Sequence, residues 1–278
     1  MIQKNSLSIS NIVVSSAFGW GDGVPILKFF RPSYNELLKI ALLTKTTTIT
    51  KSMTHKPRNG NFNIWNPISW LQNIKLTKGG LYNSFGLTNE GSGKVSDVLK
   101  QLRDESYKIL PSIYAENEHD LTFCMYDFLP KKSLELNVAC PSSSFVFSKE
   151  LLKRMIDSVR IDYQGIVIIL KVGVETPIEL IEVFEEYGGD ILHSINTVPT
   201  MYKGKRMGKS GKFIFQDALQ HNKKLRKITN LPMIMGGGVS SIDNAQAFFD
   251  IGANSVSLCT LALLNPNAAK EIILHFNG

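Results

Sequence analysis

With 278 residues, 43% hydrophobic and 20% charged, the chain has enough apolar material for a sizeable core and too much for global disorder. Its longest nearly uninterrupted apolar stretch, residues 165–170, falls far short of the roughly 20 residues a membrane-spanning helix needs. The net charge of +7 gathers at Lys203, Lys205, Arg206, Lys209 and Lys212 and at Lys223, Lys224, Arg226 and Lys227, but no aromatic stripe accompanies these lysines, so charge alone does not mark a nucleic-acid binder.

Taken in chain order, residues 1–11 mix Lys4 with serines and asparagines and hold no continuous apolar run. Neither a secretory signal nor a membrane anchor is visible there, and the expected compartment is the cytoplasm. Short β-branched runs then alternate with amphipathic stretches. Strands are predicted at 12–16, 43–50, 109–114, 134–138, 166–172, 191–195, 233–235 and 255–258. Helices are predicted at 34–42, 95–106, 120–129, 148–161, 178–187, 215–228, 242–251 and from about 267 onward. No low-complexity linker interrupts the series, so a single domain over 1–278 is expected. Eight strand-then-helix units with fully apolar strands fit an α/β fold of the (β/α)₈ barrel type better than an open doubly wound sheet.

In such a barrel the active site lies at the C-terminal ends of the strands. Gly236-Gly237-Gly238 follows the seventh strand and Cys259-Thr260 follows the eighth, which makes the two neighbours. Glycines let the backbone approach a phosphate and helix N-terminal amides donate to it, so together they resemble a phosphate cup. Lys45 in the second strand and Lys171 at the end of the fifth would each be costly inside a barrel without a negative partner. A flavin suits two such cations, because its reduced anion needs positive charge near the ring. Asn83, Asn89, Asn137 and Asn196 offer neutral donor and acceptor pairs that match a planar, pyrimidine-like ring. Singly, each asparagine or glycine reads as a turn residue and each lysine as one snorkelling to solvent; the set carries the reading.

The three cysteines are odd in number and widely spaced, which excludes a disulfide framework and a four-thiolate cluster from this chain, and no metal site is expected. Cys140 leaves the fourth strand on a loop and can serve as a general base or acid. Cys124 reads as an inert core thiol and Cys259 as packing near the phosphate cup.

Assembled in order, the motifs Thr44-Lys45-Thr46, Gly60-Asn61, Asn83 through Asn89, Glu135 through Pro141, Lys171, Asn196-Thr197, Gly208-Lys209-Ser210-Gly211, Gly237-Gly238 and Cys259-Thr260 resemble the dihydroorotate dehydrogenase family, in particular its soluble class 1 branch. That resemblance implies an FMN enzyme oxidising dihydroorotate to orotate in pyrimidine biosynthesis. It implies Cys140 as the base that removes the C5 proton while hydride passes from C6 to flavin N5. Ala17, Gly19, Lys45, Thr46, Asn137, Lys171 and Asn196 would contact the flavin, and Gly208, Gly237, Gly238, Cys259 and Thr260 its phosphate region. Lys45, Asn83, Gly86, Leu87, Asn137, Ser142, Asn196 and Thr197 would contact the substrate. A cysteine base favours the soluble branch over the membrane-attached one.

The chain departs from the family pattern at Ser142, where asparagine is usual, at Phe62-Asn63-Ile64-Trp65 and at Lys209. As partners the resemblance implies a homodimer using a soluble acceptor such as fumarate, or an iron–sulfur flavin partner chain; the homodimer is favoured. A tRNA-dihydrouridine synthase, or a flavin-binding barrel silenced for catalysis, are the alternative readings.

Overall fold

A computed structural model describes residues 1–278 except 5, 6, 24, 62, 64, 65, 129–131, 141, 142 and 144. Nine parallel segments hydrogen-bond into one wall. In chain order they are β1 (Ile12–Ser15), β2 (Thr47–Ile49), β3 (Ile109–Leu110 continued by Ser112–Ile113), β4 (Ser133–Asn137), β5 (Val167–Val172), β6 (Ile191–Ser194), β7 (Met233–Gly236) and β8 (Ser255–Leu258). The two halves of β3 are parted at Pro111, which has no N–H to give the ladder. The first half pairs with β2 and the second with β4, while β8 pairs with β1, so the wall closes into a barrel. An open sheet is thereby excluded.

The fully buried run Val167-Ile168-Ile169-Leu170-Lys171-Val172 shows why these strands form: one face meets the barrel interior and the other the surrounding helices. The helices are amphipathic to match. Lys149–Asp162 buries Leu151, Leu152, Met155, Ile156 and Val159, and begins where Ser148 Oγ accepts the Leu151 N–H at 3.1 Å. Inside the barrel, Val13, Ile49, Leu110, Val167, Ile169, Ile191 and Ile234 form a separate apolar layer. A hairpin of Ile2–Lys4 and Leu7–Ile9 closes that layer from below through Ile2 and Ile9, and Lys4 Nζ pairs with Asp190 at 2.8 Å.

Two features differ from the sequence reading. The helix Pro32–Leu43 runs one residue past its predicted end, and β2 begins only at Thr47, so the predicted strand over 43–50 shrinks to its last part. The second is a four-stranded antiparallel sheet, unseen in the sequence, ordered Val198–Tyr202, Lys205–Gly211, Gly80–Asn83 and Ile74–Thr77. It joins the loops after β2 and β6 at the mouth. The basic residues of this segment are engaged there: Lys209 and Lys203 stand over the rings of Phe213 and Tyr202, Lys205 donates to Asn73 and Arg206 pairs with Glu175.

Candidate active site at the barrel mouth

The C-terminal strand ends carry a set of polar side chains that includes Ser15, Asn137 and Lys171. After β1, Ala17 is buried, its carbonyl accepting from Tyr34 Oη at 2.5 Å, and the Gly19 carbonyl accepts the Lys51 N–H at 2.6 Å. After β2 stand Thr50, Lys51 and Ser52. Lys51 Nζ donates to the Thr88 carbonyl and lies 5.9 Å from the ring centroids of Trp20 and Phe85. Among the described residues no carboxylate pairs with it, and burial pulls its ammonium down to about 8.

At the end of β4, Asn137 is buried; its Nδ2 donates to Ser52 Oγ at 2.8 Å and its Oδ1 accepts the Ala139 N–H at 3.1 Å. Asn196, after β6, donates to the Ala139 carbonyl at 2.6 Å and its Oδ1 accepts the Thr197 N–H at 2.9 Å. The two amides approach to 3.4 Å. Together they fix the backbone from which half-buried Cys140 emerges. Tyr114, beyond β3, steadies the same loop through Ser143 Oγ at 2.6 Å, and burial raises its phenol to about 12. Lys171 on β5 is only 5% exposed, with Nζ 3.2 Å from Ser15 Oγ and 3.7 Å from Glu135 Oε1.

On the other side of the mouth, Gly237 and Gly238 adopt φ of +107° and +77°, which glycine alone takes readily. A Cβ at Gly238 would lie 2.6 Å from the Phe215 backbone nitrogen and 3.0 Å from the Gly211 carbonyl. This close approach brings the strand holding Gly208 against the turn after β7. Cys259 precedes the short helix Thr260–Leu264, and burial raises its thiol despite the nearby Lys171.

A family model for dihydroorotate dehydrogenase matches residues 33–277. The chain belongs to the dihydroorotate dehydrogenase family. Its relatives include the catalytic subunits of dihydroorotate dehydrogenase B (NAD(+)) from Petrotoga mobilis, 26% identical across 96% of this chain and 89% of that one, and from Thermodesulfovibrio yellowstonii, 27% identical across 98% and 90%. Dihydroorotate dehydrogenase A (fumarate) from Lactobacillus helveticus is 28% identical across 96% of this chain and 89% of its own. Both acceptor types thus stand among the relatives. Members of the family use a flavin. The donor set here fits one: a buried ammonium without an anionic partner among the described residues, a second ammonium in the wall, paired amides, and a glycine turn beside a helix start.

The expected site residues that the structure describes separate into three groups. Ala17, Gly19, Asn137, Cys140, Lys171, Asn196, Thr197, Gly237, Gly238, Cys259 and Thr260 all lie at C-terminal strand ends. Asn83 and Gly208 face each other across the antiparallel sheet, and Gly86 and Leu87 follow in a turn with φ of +70° and +59°. Lys45 and Thr46 do not belong with them. They precede β2: Lys45 is exposed, and Thr46 Oγ1 accepts from Asn277 Nδ2 at 2.9 Å, at the barrel end opposite the mouth. Six residues later, Thr50-Lys51-Ser52 repeats the pattern at the correct end, and Lys51 is the mouth lysine that the sequence reading missed. Asn89 also leaves the ligand set, because its Oδ1 accepts the Thr54 and Gly91 N–H groups and its Nδ2 donates to the Leu87 carbonyl, which makes it a loop organiser. Ser142, Phe62, Ile64 and Trp65 lie outside the described residues.

Proposed function

We propose that this chain is a dihydroorotate dehydrogenase that binds FMN at the barrel mouth, with Cys140 as the base. What supports the reading most is the position of Cys140 after β4, at the C-terminal end of the barrel strands, on a loop pinned by Asn137, Asn196 and Tyr114. Bound FMN would supply the electron-pair acceptor for the hydride leaving substrate C6.

The chain's own residues do the rest. Cys140 Sγ takes the C5 proton, and Asn137 and Asn196, already bonded to Ser52, Ala139 and Thr197, would orient a pyrimidine through the amide hydrogen and oxygen lone pairs those bonds leave over. Lys51 and Lys171 provide positive charge for the cofactor and for an anionic substrate, in the protected setting where charge acts strongly. Gly208, Gly237, Gly238 and the start of the Thr260–Leu264 helix would hold the cofactor phosphate. Asn83, the Gly86 and Leu87 backbone and Thr197 complete the substrate side, where the resemblance also puts Ser142, a residue outside those described. Ala17, and Gly19, whose carbonyl accepts the Lys51 N–H, would lie along the flavin. We assign the whole chain to one domain acting in the cytoplasm as a homodimer, with a soluble acceptor such as fumarate.

Cys140→Ala tests the assignment. Flavin reduction by dihydroorotate at neutral pH is expected to slow by at least about 10²-fold, the usual worth of a positioned base. Unchanged reduction by the variant contradicts the role of Cys140. Fumarate should reoxidise the reduced protein without any second chain, and failure to do so points to a partner-dependent acceptor.

A further inference from the structure

Directly beneath the mouth, the barrel holds a charged cluster that the reaction above does not use. Glu135 on β4 is completely buried and accepts from Ser112 Oγ at 2.7 Å. Its other carboxylate oxygen lies 2.5 Å from His193 Nδ1 on β6, and His193 Nε2 is 3.1 Å from Ser257 Oγ on β8. A carboxylate can only accept, so Nδ1 carries the imidazole proton and Nε2 accepts from the serine hydroxyl. Lys171 Nζ reaches the same cluster through the 3.7 Å approach to Glu135 Oε1. The apolar layer of Val13, Ile49, Leu110, Ile169, Ile191 and Ile234 lies immediately below.

Stability does not account for this arrangement. Buried ionic groups are commonly matched or bettered by well-packed apolar side chains of the same volume. Burial opposes the charge on Glu135, yet Lys171, the His193 N–H and the Ser112 hydroxyl hold its carboxyl below the usual carboxylate range. Burial keeps His193 below the ordinary imidazole value, so the ring is neutral at pH 7. One carboxylate and one ammonium then nearly cancel. The Lys171–Glu135 separation exceeds the 2.7–2.9 Å of a direct charge-assisted hydrogen bond, and only Ser15 Oγ accepts from Nζ among the described contacts. The ammonium therefore retains donor capacity for a ligand at the mouth.

We propose that Glu135 and His193 are positioning residues for the cofactor: Glu135 sets how much of the Lys171 charge a flavin meets, and His193, by donating to Glu135, restrains the competing carboxylate. The proposal rests on the flavin reading above. Glu135 thereby moderates the preference of the site for the reduced, anionic cofactor over the oxidised one.

The test measures FMN affinity, the flavin reduction potential against reference dyes, and thermal stability for the wild-type chain and for variants loaded with FMN. Glu135→Gln keeps the shape and deletes the negative charge. Its potential should move positive, with the affinity ratio of reduced to oxidised FMN rising on the order of tenfold. His193→Asn keeps a donor toward Glu135 and should stay near the wild-type potential, whereas His193→Leu removes the donor and should move it negative. A purely structural role would lower stability and weaken both redox forms alike. An unchanged or more negative potential in FMN-loaded Glu135→Gln overturns the proposal. If that variant fails to fold, equal potentials for His193→Asn and His193→Leu overturn it instead. A wild-type chain that binds no FMN overturns the cofactor reading itself, and this proposal with it.

Discussion

Replacing Lys51 with methionine should make the flavin-free protein more stable while weakening its hold on an anionic ligand. Lys51 is a buried ammonium whose described polar contact is the Thr88 carbonyl, and burial draws it from 10.5 to about 8. At 1.36 kcal/mol per pH unit, keeping that charge in the flavin-free protein costs up to about 3 kcal/mol at pH 7. The folded value lies below the unfolded one. Between about pH 8 and 10.5 the unfolded chain therefore binds more protons, and wild-type stability gains as pH rises through that window. Lys51→Met keeps the length of the side chain but forfeits the Thr88 hydrogen bond, worth about 1 kcal/mol. The net gain expected at pH 7 is about 1–2 kcal/mol, shrinking toward zero or below as the pH approaches 10.5. Urea unfolding of both flavin-free proteins at neutral and alkaline pH measures this, and the difference between them cancels the other titrating groups. A variant less stable at pH 7, or a stability difference independent of pH, would refute the reasoning.

Lys45→Ala, at the exposed lysine before β2, should leave FMN affinity and flavin reduction within twofold of wild type, roughly the variation expected of a surface substitution; a large loss in a flavin titration would return Lys45 to the site. Gly238→Ala places a Cβ 2.6 Å from the backbone of Phe215 at a φ of +77° and should cost about 3 kcal/mol in urea unfolding, with loss of FMN binding. Gly204→Ala is its control: φ is +78° but no atom lies within 4 Å, so only backbone strain of about 1 kcal/mol is expected. Equal costs for the two would remove the packing explanation.

Much of the barrel was legible because its strands are short, apolar and bounded by helices of clear periodicity. Its second strand was not. The run Thr44-Lys45-Thr46-Thr47-Thr48 is rich in β-branched residues, yet Thr44 and Lys45 close the preceding helix, with the Thr44 N–H bonded to the Ile40 carbonyl and the Lys45 N–H to the Leu42 carbonyl. Propensity yields here to the helix packing that precedes it. A displaced strand start moved the lysine chosen for the mouth to the wrong end of the barrel.

Lys171 stands out in the sequence as a cation in an otherwise apolar strand. Glu135 and His193 carry the same signal, a polar side chain inside a buried strand, and mark the cluster below it. The antiparallel sheet escaped because its pairing strands, Gly80–Asn83 and Lys205–Gly211, lie far apart in sequence and carry mixed, half-buried side chains, so neither shows a clean alternation. Asn89 illustrates the remaining difficulty: all three amides bond locally through oxygen and nitrogen, and only the fold separates Asn137 and Asn196, at C-terminal strand ends, from Asn89, which bonds the Thr54, Leu87 and Gly91 backbone of its own loop.

The most direct measurement is the visible spectrum of the FMN-loaded protein under anaerobic conditions before and after dihydroorotate is added. Bleaching of the flavin absorbance in the wild-type chain, slowed in Cys140→Ala, is the expected result. A flavin spectrum that persists in the presence of excess dihydroorotate would contradict the assigned activity.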